Sequence, residues 1–307
     1  MLDQLLDLSI FFSFDRSGYL RHQKKFAPSA FRDGKGLNAL ITGGSKGIGF
    51  GLCKLLLSLN VSLHITSRDK EKALSQMEIL REQFPGASIH YYSFDIASYQ
   101  DYPFFTAPFD IVVHNAGGMP REKIKATDKY EYVFATHVIG PHLLTRHLME
   151  RGRLSPDCRV IFVSSGGMYL RALNLDDLTF DKRPYNPYLA YANAKRAQVD
   201  LTELYADHFK EGYLFSCMHP GWVATPGLDQ YMPTFRKWMD NRLRTVEEGA
   251  DTLLWLAMTS SAYPSGRFWF DRKEAPVSLL PYTKTSPETK AALWEFCEEQ
   301  YRKVATA

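Results

Sequence analysis

The stretch LNALITGGSKGIGFGLCKLLLSLN (37–60) decides the fold. An apolar run at 37–42 leads into a turn with four glycines, and apolar residues then recur at helical spacing over 48–59. Glycines allow a tight turn and a close approach of the backbone to a ligand, and the N-terminus of the following helix favours an anion. A glycine-rich turn alone is a weak signal. Its place between a strand and a helix predicts a dinucleotide phosphate site.

The same alternation continues along the chain. Short runs rich in Val and Ile alternate with longer helical patterns, which is typical of βαβ units around a parallel sheet. The other strands are expected at 61–66, 88–94, 110–114, 159–164, 214–219 and 266–269. Helices are expected at 48–59, 70–84, 126–151, 188–209, 246–259 and 287–304. The pattern predicts an α/β, Rossmann-type, doubly wound sheet of about seven mostly parallel strands with helices on both faces.

Composition and length limit the domain organisation and the class of partner. A sheet of this kind with its helices occupies about 250 residues, so we expect one domain at 37–285, an N-terminal extension at 1–36 and a C-terminal helix at 286–307. The net charge of +3 is too small for a nucleic-acid footprint. The four cysteines show neither a CxxC pair nor metal-ligand spacing. We therefore expect no disulfide framework, no metal site and a cytoplasmic protein.

Residues 1–25 combine apolar and basic side chains. The apolar residues Leu2, Leu5, Leu6, Phe11, Phe12 and Phe14 precede the basic residues Arg16, Arg21, Lys24 and Lys25. No stretch approaches the roughly 18 apolar residues of a membrane span, and we expect no secretory signal. Two interpretations stay open: a helix packed on the body of the protein, and a segment that lies on a membrane surface.

Four further motifs follow predicted strands, at the edge where open α/β sheets bind ligands. They are Asn115-Ala116-Gly117, Ser164-Ser165-Gly166-Gly167, Tyr191-Ala192-Asn193-Ala194-Lys195 and Pro220-Gly221-Trp222-Val223-Ala224-Thr225. With the glycine turn, these motifs and their order resemble the short-chain dehydrogenase/reductase family over about 37–269. The stretches SGGM (165–168), MHPGW (218–222), GADT (249–252) and PSGRF (264–268) resemble its member-twelve dehydrogenase/reductase branch.

Tyr191 and Lys195 lie four residues apart, so both are expected on one face of a helix. A cation about 4 Å away contributes about 4 kcal/mol, enough to bring the pKa of a tyrosine hydroxyl from about 10 to near neutral. Tyr and Lys four residues apart also recur on many solvent-exposed helix faces, so the assignment of Tyr191 as the acid depends on the other motifs. The resemblance implies that Tyr191 protonates a carbonyl oxygen, that Ser165 rather than Ser164 bonds this oxygen, and that Lys195 also holds the nicotinamide ribose. Tyr188 lacks the spacing.

One departure from the family lies in FATHVIG (134–140), where His137 occupies the position of a usual asparagine. The family asparagine holds a water that links the lysine to bulk solvent. A neutral imidazole both donates and accepts a hydrogen bond and is able to substitute, whereas a protonated one beside Lys195 is unfavourable. Three alternatives remain: a working relay, a slowed enzyme, and a non-catalytic NADP(H)-binding scaffold or sensor.

Charge near the adenosine ribose selects the nicotinamide cofactor, because a base there favours the 2′-phosphate of NADP(H) and an acid favours NAD. Lys46 and Arg68 favour NADP(H). Asp69 opposes this choice, but it precedes a helical pattern and is interpreted as an N-cap. The resemblance places Asp95 near the adenine and Thr225 at the nicotinamide amide. The residues expected at the cofactor are Gly43, Ser45, Lys46, Gly47, Ile48, Gly49, Arg68, Asp95, Ile96, Asn115, Ala116, Gly117, Tyr191, Lys195, Pro220, Gly221, Val223 and Thr225.

The substrate is expected to be a lipophilic small-molecule carbonyl or alcohol. Residues 227–242 resemble the mobile substrate lid of the family, and an inserted loop at 173–187 either walls the pocket or is a surface excursion. Candidate pocket residues are Met119, Met168, Trp222 and Tyr231, although such residues are more often core. Family members often form homodimers through their long central helices. The resemblance therefore implies a homodimer here, unless the aromatic-rich extensions of this chain block those faces.

Overall fold

The structure, a computed structural model, describes residues 6–7, 9–28, 30–126 and 130–305. In these ranges eight strands form one sheet, one strand more than predicted. The strands are β1 (Asn38–Thr42), β2 (Ser62–Thr66), β3 (Ile89–Tyr92), β4 (Phe109–His114), β5 (Leu154–Val163), β6 (Tyr213–His219), β7 (Arg267–Phe270) and β8 (Lys273–Glu274). Their order is β3-β2-β1-β4-β5-β6-β7-β8, parallel except for the pair β7 and β8. The predicted doubly wound fold is confirmed.

Helices cover both faces of the sheet. In the described ranges the α-helices of five residues or more are α1 (Ile10–Phe14), α2 (Arg16–Gln23), α3 (Gly47–Leu57), α4 (Lys70–Gln83), α5 (Gly140–Glu150), α6 (Pro187–His208), α7 (Pro226–Tyr231), α8 (Pro233–Trp238), α9 (Val246–Met258) and α10 (Pro287–Ala305). Because successive strand residues point to opposite faces, Ala39 and Ile41 pack with α3, α4 and α9 in one apolar cluster. Leu40 packs with α5, α6 and α10 in the other.

The strand order places the site. The strand order reverses between the parallel strands β1 and β4, where the chain crosses from one half of the sheet to the other. In parallel sheets this switch point leaves a crevice at the carboxyl ends of the strands, because the loops on either side of it turn apart. The glycine turn follows β1 and the Asn115 motif follows β4, so both motifs lie at this crevice.

Several element boundaries differ from the sequence-based prediction. β3 is shorter than the predicted 88–94, and β5 begins at Leu154 instead of residue 159. The helix expected from residue 126 begins at Tyr132 and passes through a π turn, Ala135–Ile139, into α5. Residues 127–129 lie outside the described residues. Two short helices, α7 and α8, occupy the segment that resembles the family's lid.

The C-terminal helix α10 packs on α5 and α6. Leu293 and Cys297 are fully buried there, and the Trp294 ring stacks on His208 at 4.0 Å between ring centroids. Glu298 pairs with Arg146 of α5 at 3.0 Å. The long central helices are therefore covered by the chain's own C-terminal helix.

The described part of the N-terminal extension packs on the body of the protein. Arg16 pairs with Glu248 of α9 at 2.9 Å, and Phe14 is buried in the core. Within the described ranges no helix is both long and apolar enough to cross a membrane. Leu2 and Leu5, which contributed to the membrane-surface interpretation, lie outside the described residues.

Candidate active site

The glycine turn depends on residues without a side chain. Gly43 and Gly47 have φ of +67° and +54°, a left-handed conformation that glycine adopts without steric cost. A Cβ on Gly49 would lie 2.6 Å from Asn115 Nδ2 and 2.6 Å from Gly43 O. Asn115 Nδ2 donates to Thr42 O at 3.0 Å and to Gly43 O at 3.1 Å. The Asn115 side chain, which follows β4, therefore fixes the backbone of the glycine turn at the end of β1.

Three cations gather beside this turn. Partial burial lowers the pKa of Lys46, and the nearby charges of Lys72 and Arg68 lower it further. Arg68 donates to Asp95 Oδ2 at 3.1 Å and to the Tyr132 hydroxyl at 2.8 Å. Asp69 accepts a hydrogen bond from Lys72 N, which confirms that it caps α4. The edge beside the glycine turn thus has an excess of positive charge.

Other residues expected at the cofactor pack into the body. Ile96 is buried against the start of α5, where its carbonyl would lie 2.4 Å from a Cβ on Gly140. Val223 packs on Gly249 of α9. Ser45 Oγ donates to Ser67 Oγ at 3.1 Å, so it joins the turns after β1 and β2. These contacts join the turns around the crevice to the body of the protein.

Lys195 lies one turn after Tyr191 on α6, which begins after the Asn186 cap. The Lys195 ammonium is buried and donates to Val163 O at 2.7 Å and to Gln198 Oε1 at 3.0 Å. Burial lowers the pKa of Lys195 to about 7. Its Nζ lies 5.3 Å from the centroid of the Tyr191 ring. Gln198, which sequence reasoning missed, lies three residues after Lys195 on the same helical face.

Tyr191 is partly buried, and removal of its hydroxyl from water raises the pKa of this hydroxyl, while the neighbouring Ser165 hydroxyl opposes the rise. The pKa of Tyr191 is thus raised and not lowered as expected: desolvation is the largest cause, and the Lys195 ammonium donates to Val163 O and Gln198 Oε1. Ser164 Oγ donates to Lys195 O at 2.8 Å. The hydroxyl that meets Tyr191 is therefore that of Ser165.

His137 lies in the π turn, a distortion that is frequent at functional sites. Its ring stands edge-on to Tyr191 at 5.5 Å between centroids. Burial and the nearby Lys195 charge hold the pKa of His137 well below its usual value, so the imidazole is neutral. A Cβ on Gly117 would lie 2.0 Å from His137 Cε1. The glycine of the Asn115 motif thus makes room for this histidine.

His219, at the end of β6, joins two turns of the site. Its Nδ1 accepts from Gly166 N at 3.1 Å and from Gly221 N at 3.3 Å. Burial and the nearby Arg244 lower its pKa to about 3. Sequence reasoning assigned it no role, although it lies in the MHPGW stretch. Thr225, further along, caps α7 through a hydrogen bond from Leu228 N.

The candidate pocket residues separate into two groups. Met168 is fully buried and belongs to the apolar core, so it is not a wall residue. Tyr231 of α7 reaches across the crevice, and its hydroxyl lies 2.7 Å from the position of a Cβ on Gly118. The loop at 173–187 is anchored, because Phe180 is buried and Tyr185 donates to Pro120 O at 3.2 Å. It is more than a surface excursion.

Comparison with known proteins places these features in a family. A family model described as short chain dehydrogenase matches residues 37–234. The chain is 36% identical to dehydrogenase/reductase SDR family member 12 of Bos taurus, over 94% of each chain. It is 28% identical to the polyprenol dehydrogenase of Homo sapiens, over 85% of this chain and 84% of that one. An uncharacterized protein from Mycobacterium paratuberculosis has the same fold, with a TM-score of 0.71, 21% identity and coverage of 89% and 96%.

Replacing His219 with Asn should make the folding stability less sensitive to acid. An unfolded histidine titrates near 6.5, whereas folded His219 stays neutral to about pH 3. Its stabilising contribution is complete above about pH 6.5 and is lost as the pH falls towards 3. Asn Oδ1 accepts the same backbone hydrogen bonds without titrating, so the loss of unfolding free energy between pH 7 and pH 5 should shrink by about 2 kcal/mol.

Urea unfolding at both pH values measures this difference. The His208→Asn variant, changed at an exposed histidine, serves as control and should keep the acid sensitivity of the unmodified chain. An unchanged acid sensitivity in His219→Asn would contradict the assignment of His219 as a buried neutral acceptor.

Proposed function

This chain belongs to the short-chain dehydrogenase/reductase family, and on that premise we propose that it is an NADP(H)-dependent oxidoreductase that interconverts a carbonyl and an alcohol. The observation that carries the proposal is that Ser165 Oγ and the Tyr191 ring lie together, each 3.7 Å from the Cβ position of Gly167, with the buried Lys195 ammonium 5.3 Å from the centre of the ring. A hydroxyl pair of this kind is able to bind and protonate one carbonyl oxygen.

The glycine turn and the three cations beside it fit a dinucleotide that carries a 2′-phosphate. Gly43 and Gly47 leave the backbone open to a pyrophosphate at the start of α3. Lys46, Lys72 and Arg68 place positive charge where a ribose phosphate would be neutralised. The Asp69 carboxylate caps α4, so it competes less for a ribose hydroxyl. When bound, the cofactor supplies or accepts the hydride.

The chain's own residues carry the proton. Burial favours the neutral hydroxyl of Tyr191, so at neutral pH Tyr191 holds the proton that a reduced carbonyl oxygen needs. Ser165, which lies beside Tyr191, binds and orients this oxygen. Lys195, with a pKa of about 7, is able to hold or release a proton beneath the tyrosine ring at working pH. These properties suit general acid catalysis near neutral pH.

We propose His137 as part of the proton path. Its Nε2 lies 3.0 Å from Gly118 O and 3.2 Å from Gly118 N, so Gly118 satisfies Nε2 in either neutral tautomer, as donor or as acceptor. Among the described residues Nδ1 has no hydrogen-bond partner. Nδ1 is therefore left to donate to or accept from a water, according to the tautomer, and would take the place of the family's asparagine as the group that holds this water.

The substrate class we propose is a lipophilic aldehyde, ketone or alcohol. Phe11 contacts the rings of Trp222 and Trp238, and Phe235 also packs on Trp222. Three of these rings belong to the lid segment and the turn before it. The similar human protein is named a polyprenol dehydrogenase, which agrees with an apolar substrate.

A second candidate is a non-catalytic NADP(H)-binding scaffold or sensor. The observation that favours it is the ammonium of Lys195, which bonds Val163 O and Gln198, in combination with a histidine at the asparagine position. Both candidates bind the same cofactor. Only turnover separates them.

The partners we propose are small molecules, and the location we propose is the cytoplasm. Pairing of two chains through α5 and α6 has less support, because α10 covers both helices. A membrane contact through residues 1–25 also has less support, because Phe14 and Asp15 are buried against the body. The cytoplasmic location rests on the absence of a CxxC pair or a disulfide pattern in the sequence.

Removing the Lys46 charge tests the cofactor assignment. We expect Lys46→Met to weaken NADPH binding about tenfold more than NADH binding, equivalent to about 1.4 kcal/mol, because only NADPH carries the 2′-phosphate. Fluorescence titration of both cofactors measures the ratio. Lys54→Met, on the helix that follows Lys46 and paired with Glu247, is the control and should change neither affinity. An equal loss for both cofactors would contradict the phosphate assignment.

Replacing Tyr191 with Phe tests the acid. Turnover of NADPH with a panel of lipophilic aldehydes and ketones should fall by about 10² to 10⁴-fold, while NADPH affinity stays within about twofold. Tyr188→Phe, at an exposed tyrosine one turn earlier, should keep full turnover. Persistent turnover in Tyr191→Phe would mean that another group is the acid. NADPH binding without turnover of any carbonyl by the unmodified protein would favour the scaffold.

Two substitutions of His137 test the proton path. His137→Asn should preserve or raise kcat, because an amide also donates and accepts. His137→Phe fills the ring space without nitrogen and should lower kcat about tenfold or more, with little change in KM. Steady-state kinetics provide both constants. A collapse of His137→Asn would show that histidine has a separate role, and full activity of His137→Phe would remove His137 from the mechanism.

A further inference from the structure

The N-terminal extension reaches the candidate active site through Phe14. This ring is buried, with its centroid 4.2 Å from that of His219 and 5.1 Å from that of Phe270. It also stands edge-on to Trp222 at 5.9 Å. A residue more than 150 positions before Ser165 in the sequence is thus packed against the end of β6.

Phe14 occupies the space beside the catalytic serine. A Cβ on Gly166 would lie 2.4 Å from Phe14 Cε2, closer than any real contact between such atoms. Gly166 N also donates to His219 Nδ1 at 3.1 Å. The backbone that follows Ser165, here named the Ser165 turn (165–167), is therefore confined between the Phe14 ring and the His219 ring.

The backbone of Phe14 fixes a second part of the site. Trp222 N donates to Phe14 O at 2.9 Å, and this bond attaches the Trp222 turn (220–222) to the N-terminal extension. Gly221 N donates to His219 Nδ1 at 3.3 Å. The ring of Phe14 packs on the Ser165 turn and its carbonyl binds the Trp222 turn, so this one residue fixes the position of the two turns relative to each other.

A buried cation holds Phe14 in place. Arg244 is 1% exposed and donates to Phe14 O at 3.0 Å, to Ser13 O at 3.1 Å and to both oxygens of Asp271. Asp15 accepts from Gly18 N at 2.9 Å and pairs with Arg242. A segment fixed by several hydrogen bonds to charged groups is ordered well enough to act as a rigid wall.

We propose that Phe14 is a positioning residue for the reaction, which fixes the Ser165 turn against the Trp222 turn. This inference rests on the proposed function. Ser165 Oγ and Cδ1 of the Tyr191 ring each lie 3.7 Å from the Cβ position of Gly167, so a displaced Ser165 turn would move the serine hydroxyl away from Tyr191 and misplace the substrate oxygen that both would bind. A displacement of about 1 Å at a reacting centre costs about 10²-fold in rate.

A double-mutant cycle between Phe14 and Gly166 tests the proposal. Phe14→Ala removes the ring and should lower kcat/KM by about 10 to 100-fold. Gly166→Ala adds a Cβ that meets the ring, and it should lower kcat/KM to a similar degree. In the double variant the added methyl enters the space that the ring has left. We expect it to recover at least tenfold over Gly166→Ala, because neighbouring residues couple.

The controls separate positioning from folding. Phe12→Ala lies on the same segment, but its ring is partly exposed and packs on Phe11 and beneath Arg242, so it should keep full activity. Rates are normalised to the NADPH-binding fraction, and Phe14→Leu, which keeps apolar volume, replaces Phe14→Ala if the latter does not fold. In Phe14→Ala the pH above which carbonyl reduction declines should also rise, since Tyr191 loses the Ser165 bond that lowers its pKa.

The outcomes are distinct. Unmodified protein that binds NADPH but reduces no carbonyl overturns the proposed function, and with it this inference. Turnover in the unmodified protein together with full kcat and KM in Phe14→Ala overturns the positioning role alone, even if the unfolding temperature falls. Additive losses without recovery in the double variant also overturn it. Recovery of kcat/KM with the shifted pH profile supports it.

Discussion

The buried guanidinium of Arg244 is the constraint on which the edge of the active site depends. Moving a cation out of water costs several kcal/mol, and only a complete set of partners offsets that cost. All three guanidinium nitrogens are used, on the carbonyls of Ser13, Phe14 and Pro220 and on both oxygens of Asp271. The N-terminal extension, the Trp222 turn and the turn between β7 and β8 are therefore placed together.

The same cation explains two local features of the backbone. A Cβ on Gly221 would lie 2.3 Å from Arg244 Nε, and φ of Gly221 is +76°, so only glycine fits this position. Asp271 and Arg272 have φ of +46° and +59° in the two-residue turn between β7 and β8. Left-handed backbone costs about 1 to 2 kcal/mol at a residue with a side chain. The paired carboxylate of Asp271 offsets this cost, because it neutralises Arg244.

Burial, more than charge pairing, sets the protonation of the site. It lowers the pKa of Lys195, His137 and His219 and raises that of Tyr191. At neutral pH both histidines are neutral, Tyr191 keeps its proton and Lys195 is close to half-protonated. Such a site has little fixed charge, a protonated tyrosine and one lysine that exchanges protons near pH 7, which suits a reaction in which a neutral carbonyl becomes a neutral alcohol.

Much of the fold could be predicted from the sequence, because its signals are local. The run at 37–42 and the glycine turn predict β1 and α3, and Asp69 predicts the start of α4 from its cap position. β8 was missed, because the turn before it contains Asp271 and Arg272 where a two-residue turn usually has Asn-Gly. The π turn at His137 has no local sequence signal either.

The site was predictable in its residue types but less so in its electrostatics. The spacing of Tyr191 and Lys195 indicates a shared helix face, but not that Val163 O and Gln198 take the ammonium or that burial raises the tyrosine pKa. These depend on packing between distant segments. Phe14 shows this most clearly. No pattern in residues 9–15 predicts a contact with Gly166, and the only sequence feature consistent with that contact is that residue 166 is a glycine.

The C-terminal helix and the N-terminal extension cover different faces of one domain, so substitutions in them are expected to affect different properties of the protein. α10 covers α5 and α6, away from the crevice, and its contacts are apolar rings and ion pairs such as Glu298 with Arg146. The N-terminal extension instead contacts the backbone beside Ser165 and Trp222. A change at the first surface alters stability and pairing, whereas a change at the second alters the shape of the catalytic edge. The shape of this edge is therefore set by the N-terminal extension as well as by the family motifs.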